Sequence, residues 1–143
     1  VLAGGGPNEA AYRALAAGLG VADRGHFLDN VAREDIGDLL GAVDVFVFPS
    51  VWETFGLAPV EAAMAGVPVV AAGLPVLREV LSADGETVAR FADAADPRAL
   101  AAEISAMLAD PRAAEQARAF APRVADKYAL QRMVDAYADL VLG

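Results

Sequence analysis

Short apolar runs alternate along the chain with alanine-rich segments in which apolar residues recur at helical spacing. The clearest run, 43–48, reads Val-Asp-Val-Phe-Val-Phe, and its β-branched and aromatic residues predict a strand that is buried on both faces. Strands that alternate with helices of this length predict right-handed βαβ units on a parallel sheet. The predicted strands are 1–3, 26–28, 43–48, 67–71 and 86–91, and the predicted helices are 8–19, 33–40, 57–65, 75–81, 97–109, 111–121 and 127–142.

Residues with special backbone preferences mark where several helices begin and end. Asp96 and Asp110 each precede a proline, a pairing that is typical of a helix N-cap followed by the first helical position. Gly18 and Gly20 are expected to end the first helix, because glycine tolerates the left-handed conformation near helix ends. Neither a repeat nor a linker interrupts the pattern, so residues 1–143 are predicted to form one domain.

The composition narrows the classes of function. No uninterrupted apolar run reaches the roughly 18 residues that a membrane-spanning helix needs, so a soluble domain is expected. A formal net charge of −9 argues against a general affinity for nucleic acid. The absence of cysteine excludes a disulfide framework, a thiolate nucleophile and a cysteine metal site. His26 is the only histidine, which excludes a metal site built from histidines and favours a structural role for this residue.

Two glutamates lie where the predicted strand 43–48 passes into the predicted helix 57–65. In an open α/β sheet, ligands bind at the turn after the carboxyl end of a strand. Glu53 precedes the helix and Glu61 lies about one turn into it, so both carboxylates can face one cleft beside the free N–H groups of the first helical turn. A carboxylate accepts two hydrogen bonds from a vicinal diol, and helix N–H groups suit a diphosphate. The spacing therefore fits a nucleotide-sugar.

Each of these residues also has a plain structural interpretation. An acid near the start of a helix is stabilised by the helix dipole, so Glu61 could serve the helix alone. Glu53 could be an ordinary loop acid, and Phe55 could be a core residue. The residue types that surround the pair favour a functional interpretation.

The chain resembles the large group of retaining glycosyltransferases known as carbohydrate-active family 4. The resemblance is most specific in segment 49–70, which reads PS-x-x-E-x-FGL-x-x-x-EA-x-x-AGVPVV. It implies a Rossmann-like three-layer α/β domain with a mostly parallel sheet, the C-terminal half of a GT-B fold. Further landmarks in the family's order are Gly4-x-Gly6-Pro7, Phe27-Leu28, Ala42-x-Asp44-Val45-Phe46, Leu74-Pro75 through Arg78-Glu79, and Asp84-Gly85-Glu86-Thr87.

The resemblance implies a role for each candidate site residue. Glu61 would bind the ribose hydroxyls of the donor nucleotide. Glu53, the candidate catalytic residue, would contact the hydroxyls of the donor sugar. The backbone around Asn30 and Val31 would touch the base. Gly4 to Gly6 would shape the floor of the cleft, with a plain strand-to-helix turn as the alternative. Backbone N–H groups of three consecutive residues would hold the sugar and diphosphate: Phe55, Gly56 and Leu57.

The resemblance also implies an activity and its partners. The full-length enzyme would transfer a sugar from a UDP- or GDP-sugar donor to an acceptor hydroxyl with retention, using no metal and no further cofactor, in the cytoplasm or peripherally at the inner membrane face. Because the chain begins at Val1 inside a strand-like run, we expect a fragment or a trimmed chain that lacks the amino-terminal acceptor domain and the first strand. Alone it would bind the UDP- or GDP-sugar donor weakly and would show no transferase activity. Asp29 and Val88 stand where the family commonly has glycine.

Two other classes of function stay open at this point. One is a nucleotide-sugar-binding module without independent catalysis. The other is an unrelated Rossmann-type domain, such as half of an oxidoreductase, although Gly4-x-Gly6-Pro7 lacks the third glycine of the dinucleotide-binding pattern.

Overall fold

The computed structural model describes residues 1–142, and the chain divides into two compact units, residues 1–39 and residues from 40 onward. Strands alternate with helices along the first two thirds of the chain, as the sequence pattern predicts. The strands are β1 (Leu2–Ala3), β2 (Phe27–Leu28), β3 (Phe46–Phe48), β4 (Val69–Ala72) and β5 (Arg90–Ala92). The helices are α1 (Glu9–Gly18), α2 (Ile36–Gly41), α3 (Leu57–Met64), α4 (Pro75–Val80), α5 (Pro97–Ala109), α6 (Ala113–Lys127) and α7 (Leu130–Leu142).

The first unit contains a small parallel sheet and one longer helix. β1 pairs in parallel with β2, and the N–H of Leu2 donates to the carbonyl of His26 at 2.8 Å. α1 ends at Gly18, and Gly20 adopts a left-handed φ of +67°, which confirms the predicted glycine stop. No side chain among residues 1–39 is fully buried.

The second unit is built on a three-stranded parallel sheet in the order β3-β4-β5. All four residues of β4 are buried, because this strand has a neighbour on each side and helices cover its faces. The prediction that strand 43–48 is buried on both faces is wrong for this sheet. β3 occupies an edge position and is only half-buried, and its ladder begins at Phe46, two residues after the exposed Asp44.

The bounds predicted for α5 are confirmed, whereas those predicted for α6 are wrong at both ends. The Asp96 side chain accepts a hydrogen bond from the Arg98 N–H at 2.8 Å, as an N-cap does. Asp110 makes the same kind of contact with the Arg112 N–H at 3.0 Å, but the residues after it form a turn and α6 begins at Ala113. α6 then continues through Pro122 to Lys127, beyond the predicted end at 121. Burial of Phe120 and Val124 on either side of the proline outweighs the one lost backbone hydrogen bond.

The predicted strand 86–91 is shorter in the structure, because a tight turn occupies its first part. Ala83 and Glu86 exchange two backbone hydrogen bonds of 2.9 and 3.0 Å, and Asp84 and Gly85 between them both have positive φ. β5 consequently begins only at Arg90. Among residues 1–142, none of the helices combines the length and apolar content that a membrane crossing requires.

Candidate donor-binding site

The candidate site lies at the edge where the three strands of the second unit end. Because β3, β4 and β5 are parallel, their carboxyl ends share this edge, and the loop 49–56 leaves it to enter α3. The hydroxyl of Ser50 donates to the carbonyl of Trp52 at 2.6 Å, which tightens the start of the loop. The loop is therefore an ordered connection at the position where α/β sheets bind ligands.

Gly56 gives this loop a left-handed turn of the backbone just before α3. It has φ +92° and ψ 58°, a left-handed conformation that side chains other than that of glycine rarely adopt. A Cβ atom at this position would lie 2.6 Å from Cδ2 of Leu77 and 3.3 Å from Cγ of Pro59. Leu77 is fully buried in α4, so it has little freedom to withdraw. Only glycine fits between the loop and α4.

The carboxylate of Glu53 is held by the backbone of its own loop. Its Oε1 atom accepts hydrogen bonds from the N–H of Thr54 at 2.8 Å and from the N–H of Phe55 at 3.2 Å. The Phe55 N–H is the largest cause that lowers the pKa of Glu53 below its ordinary value of 4.5, and the Thr54 N–H is the next. Glu53 is therefore an ionised, half-buried acceptor whose orientation is set before any ligand arrives.

Glu61 differs from Glu53 in having no such restraint. It lies one turn into α3, and its side chain is exposed. Among residues 1–142, its carboxylate has neither a hydrogen-bond donor nor an ion-pair partner, whereas its main-chain carbonyl accepts from the Ala65 N–H at 2.9 Å. The expectation that the two carboxylates face one cleft stays a prediction.

The start of α3 offers two backbone donors. The N–H groups of Leu57 and Ala58 have no acceptor in the described part of the chain, and Pro59 has no N–H to donate. The Phe55 N–H, which was expected to hold the donor, is instead donated to Glu53 in this structure. Of the three expected donors, Leu57 keeps an unengaged N–H among residues 1–142, whereas the Phe55 N–H is occupied by Glu53 and the Gly56 N–H also contributes to lowering the pKa of Glu53.

The remaining candidates lie in the first unit. Oδ1 of Asn30 accepts from the N–H of Gly5 at 3.2 Å, so the Asn30 side chain steadies the glycine loop. Gly4 has φ +114°, which requires glycine, whereas a Cβ on Gly6 would meet nothing within 4 Å. The loop borders an open cavity of about 280 Å³. Val31, the other residue expected at the base, is half-buried. The structure thus brings Asn30 together with the glycine loop, as one group separate from Glu53 and Glu61 along the chain.

Sequence reasoning missed two residues that touch the loop. The Phe55 ring meets the edge of the Tyr128 ring, with centroids 5.6 Å apart and an interplanar angle of 73°. Leu77 packs beneath Gly56. Neither residue belongs to the 49–70 segment, and no local signal connects them to it. Within residues 1–142, no cluster of three or more His, Cys, Asp or Glu side chains is arranged to hold a metal ion.

Comparison with known proteins agrees with the fold. A family model described as "Glycosyl transferases group 1" matches residues 1–124. A D-inositol 3-phosphate glycosyltransferase of Xylanimonas cellulosilytica is 40% identical over 129 residues, which cover 87% of this chain and 30% of that protein. The chain therefore spans less than a third of that relative.

Two solved structures resemble nearly all of this chain. Sucrose-phosphate synthase from Thermosynechococcus elongatus superposes with a TM-score of 0.80 at 28% identity, over 97% of this chain and 37% of that one. Alr3699/HepE of Anabaena, solved in complex with UDP and glucose, gives a TM-score of 0.83 at 24% identity, over 98% of this chain and 39% of that one. At 24% identity, the similarity to Alr3699/HepE supports the fold alone. The predicted α/β fold with parallel strands is confirmed.

Proposed function

Because this chain belongs to the glycosyl transferases group 1 family, we propose that it is the donor-binding part of a retaining glycosyltransferase. The enzyme would move a sugar from a nucleotide-diphosphate-sugar to an acceptor hydroxyl, without a metal ion. The chain covers 30% of its D-inositol 3-phosphate glycosyltransferase relative, so the acceptor-binding part and turnover belong to the larger protein.

One observation carries the proposal: the different states of the two glutamates at the start of α3. Glu53 is fixed by two backbone N–H groups, whereas the carboxylate of Glu61 is exposed and unengaged among the described residues. A fixed carboxylate orients one ligand group, and an unengaged carboxylate is ready to accept a pair of hydroxyls. The N–H groups of Leu57 and Ala58 supply an anion-binding helix end next to them. A diol, a diphosphate and a second polyol are the parts of a nucleotide-sugar.

Each group then has a role in transfer. Glu61 accepts hydrogen bonds from the ribose diol and so fixes the nucleotide. The Leu57 and Ala58 N–H groups lie where negative charge grows on the departing diphosphate, and pre-oriented donors of this kind lower the barrier because they need no reorganisation. Glu53 keeps its second carboxylate oxygen for a hydroxyl of the sugar. Glycosidase-type acid and base catalysis needs two carboxyls that flank a scissile bond, and binding at two different parts of one donor is a different task.

The test is titration calorimetry of this chain with UDP and with GDP, on the wild type, Glu61→Ala and Glu53→Ala. Glu115→Ala is the matched control, because Glu115 is an exposed acid in the first turn of α6 and its loss changes the net charge equally. Whichever of UDP and GDP binds the wild type more tightly, we expect Glu61→Ala to lower its affinity by about tenfold or more, the scale of two lost charge-assisted hydrogen bonds. Glu53→Ala should also lower the affinity for this nucleotide, because the loop loses the carboxylate that accepts its N–H groups.

The affinity for a 2′-deoxy nucleotide tests whether Glu61 binds the ribose. The wild-type chain should bind the deoxy nucleotide more weakly than the ribonucleotide, and Glu61→Ala should bind both equally, because the carboxylate that reads the 2′-hydroxyl is gone. Equal affinity of all variants for all nucleotides would refute the site. Sugar transfer by this chain alone would refute the division of labour between it and the larger protein.

A further inference from the structure

We infer that Tyr128 is a positioning residue for the donor loop: its ring and hydroxyl fix the Phe55–Gly56 backbone against α4. The inference rests on the donor-binding function proposed above for this loop. Tyr128 follows the last residue of α6, and its ring contacts the ring of Phe55, so its effect on binding is assigned to Phe55 and Gly56.

The end of α6 is joined to the end of α4 by side-chain hydrogen bonds. The Tyr128 hydroxyl donates to the carbonyl of Val80 at 3.1 Å, and Nζ of Lys127 donates to the carbonyls of Glu79 at 2.7 Å and Ser82 at 2.9 Å. The last carbonyls of a helix have no partner within the helix, so these donors satisfy them and place a cation at the negative end of the dipole. α4 is only six residues long and depends on such anchoring.

The anchored helix supports the loop at two adjacent residues. Leu77, in the middle of α4, lies directly beneath Gly56. The Tyr128 ring meets Phe55 in an edge-to-face contact, the geometry that aromatic pairs prefer. Phe55 is 39% exposed, so its ring is not enclosed by the core. The N–H of the same residue donates to Glu53, and the orientation of the Glu53 carboxylate therefore depends on where Tyr128 holds Phe55.

Burial also affects the Tyr128 hydroxyl. It raises the pKa of Tyr128, and the nearby charge of Glu79 raises it further. The phenol therefore stays protonated and donates to Val80 over the whole neutral range. The restraint on the loop does not change across that range.

Three variants separate the ring from the hydroxyl. Tyr128→Leu removes the ring contact and the hydrogen bond, and Tyr128→Phe removes only the hydrogen bond. Tyr137→Leu is the matched control, because Tyr137 is a 64% exposed tyrosine of α7. In ¹H–¹⁵N spectra recorded without nucleotide, we expect Tyr128→Leu to shift the amide signals of Phe55 and Gly56 strongly and Tyr128→Phe to shift them less. Tyr137→Leu should leave them in place.

Nucleotide binding provides the second readout. We expect Tyr128→Leu to weaken UDP binding by about two- to tenfold, the range of a lost aromatic pair, and Tyr128→Phe by less. In a Phe55→Leu background, Tyr128→Leu should cause little further loss, because the contact through which it acts is already absent. A merely structural role would give the same loss in both backgrounds, and that result would overturn the inference.

The remaining outcomes are also decisive. Unchanged Phe55 and Gly56 amide signals in Tyr128→Leu, or equal shifts in Tyr137→Leu, overturn the inference. If Tyr128→Leu does not fold, Phe55→Leu removes the same contact from the other side and should shift the ring protons of Tyr128; unmoved ring protons overturn it. Failure of the wild-type chain to bind UDP or GDP would refute the proposed function, whereas the spectra without nucleotide still decide whether Tyr128 positions the loop.

Discussion

Replacing Gly56 by alanine tests the claim that the donor loop needs a residue without a side chain. Two costs add in this variant. A side chain at φ +92° costs about 1–2 kcal/mol, the penalty of the left-handed region. The new Cβ also lies 2.6 Å from Cδ2 of the buried Leu77, and forcing a methyl group into a packed site costs about 1–3 kcal/mol. We therefore expect Gly56→Ala to lower the free energy of unfolding by about 2–5 kcal/mol.

Gly85→Ala is the control that separates the two costs. Gly85 has φ +79°, but a Cβ there would meet nothing within 4 Å, so only the conformational cost of about 1–2 kcal/mol applies. Urea unfolding of the wild type and both variants, followed by circular dichroism, gives the free energies. Equal losses in Gly56→Ala and Gly85→Ala would refute the close packing of the loop on α4. A Gly56→Ala variant as stable as the wild type would refute the left-handed conformation as well.

Two further predictions concern single carboxylates. The carboxyl carbon of Glu53 should titrate with a midpoint below 4.5, because the N–H groups of Phe55 and Thr54 favour its charged form, and a midpoint at or above 4.5 in a ¹³C titration would contradict this. Since the folded pKa is lowered, the stabilisation from these hydrogen bonds is fully present above the ordinary value and is lost as the pH falls through the folded value. Asp96→Ala should cost about 1 kcal/mol of unfolding free energy through the lost N-cap of α5, and Asp96→Asn should cost much less. Equal losses in these two variants, measured by urea unfolding, would show that the charge and not the cap matters.

Local signals predict the helices well where the capping residue and the apolar spacing agree. α5 has the predicted bounds because Asp96 and Pro97 act on the backbone within the first turn. α6 extends past its predicted end because Pro122, which locally favours a break, sits on a helix whose buried face continues beyond it. A proline signal extends over a few residues, whereas burial of the helix face depends on distant partners.

Strand position is harder to predict from sequence. The runs around β3 and β4 are both rich in valine, but only the run of β3 is predicted to be buried on both faces. The pairing order β3-β4-β5 makes β4 central and leaves β3 at an edge. The order of strands in a sheet depends on which strands pair, and the residue types of a single strand do not determine its partners.

The sequence alone determined the alternation of strands and helices, the turn into α3 and the identity of the candidate donor-binding residues in the 49–61 segment, because those features depend on residues close together in the chain. The tertiary structure decided the state of each group. It engages Glu53 with two backbone N–H groups and leaves Glu61 exposed. It also brings Tyr128 and Leu77 against Phe55 and Gly56. These contacts join segments far apart in the chain, so they exist only once the end of α6 lies against the end of α4 and the loop.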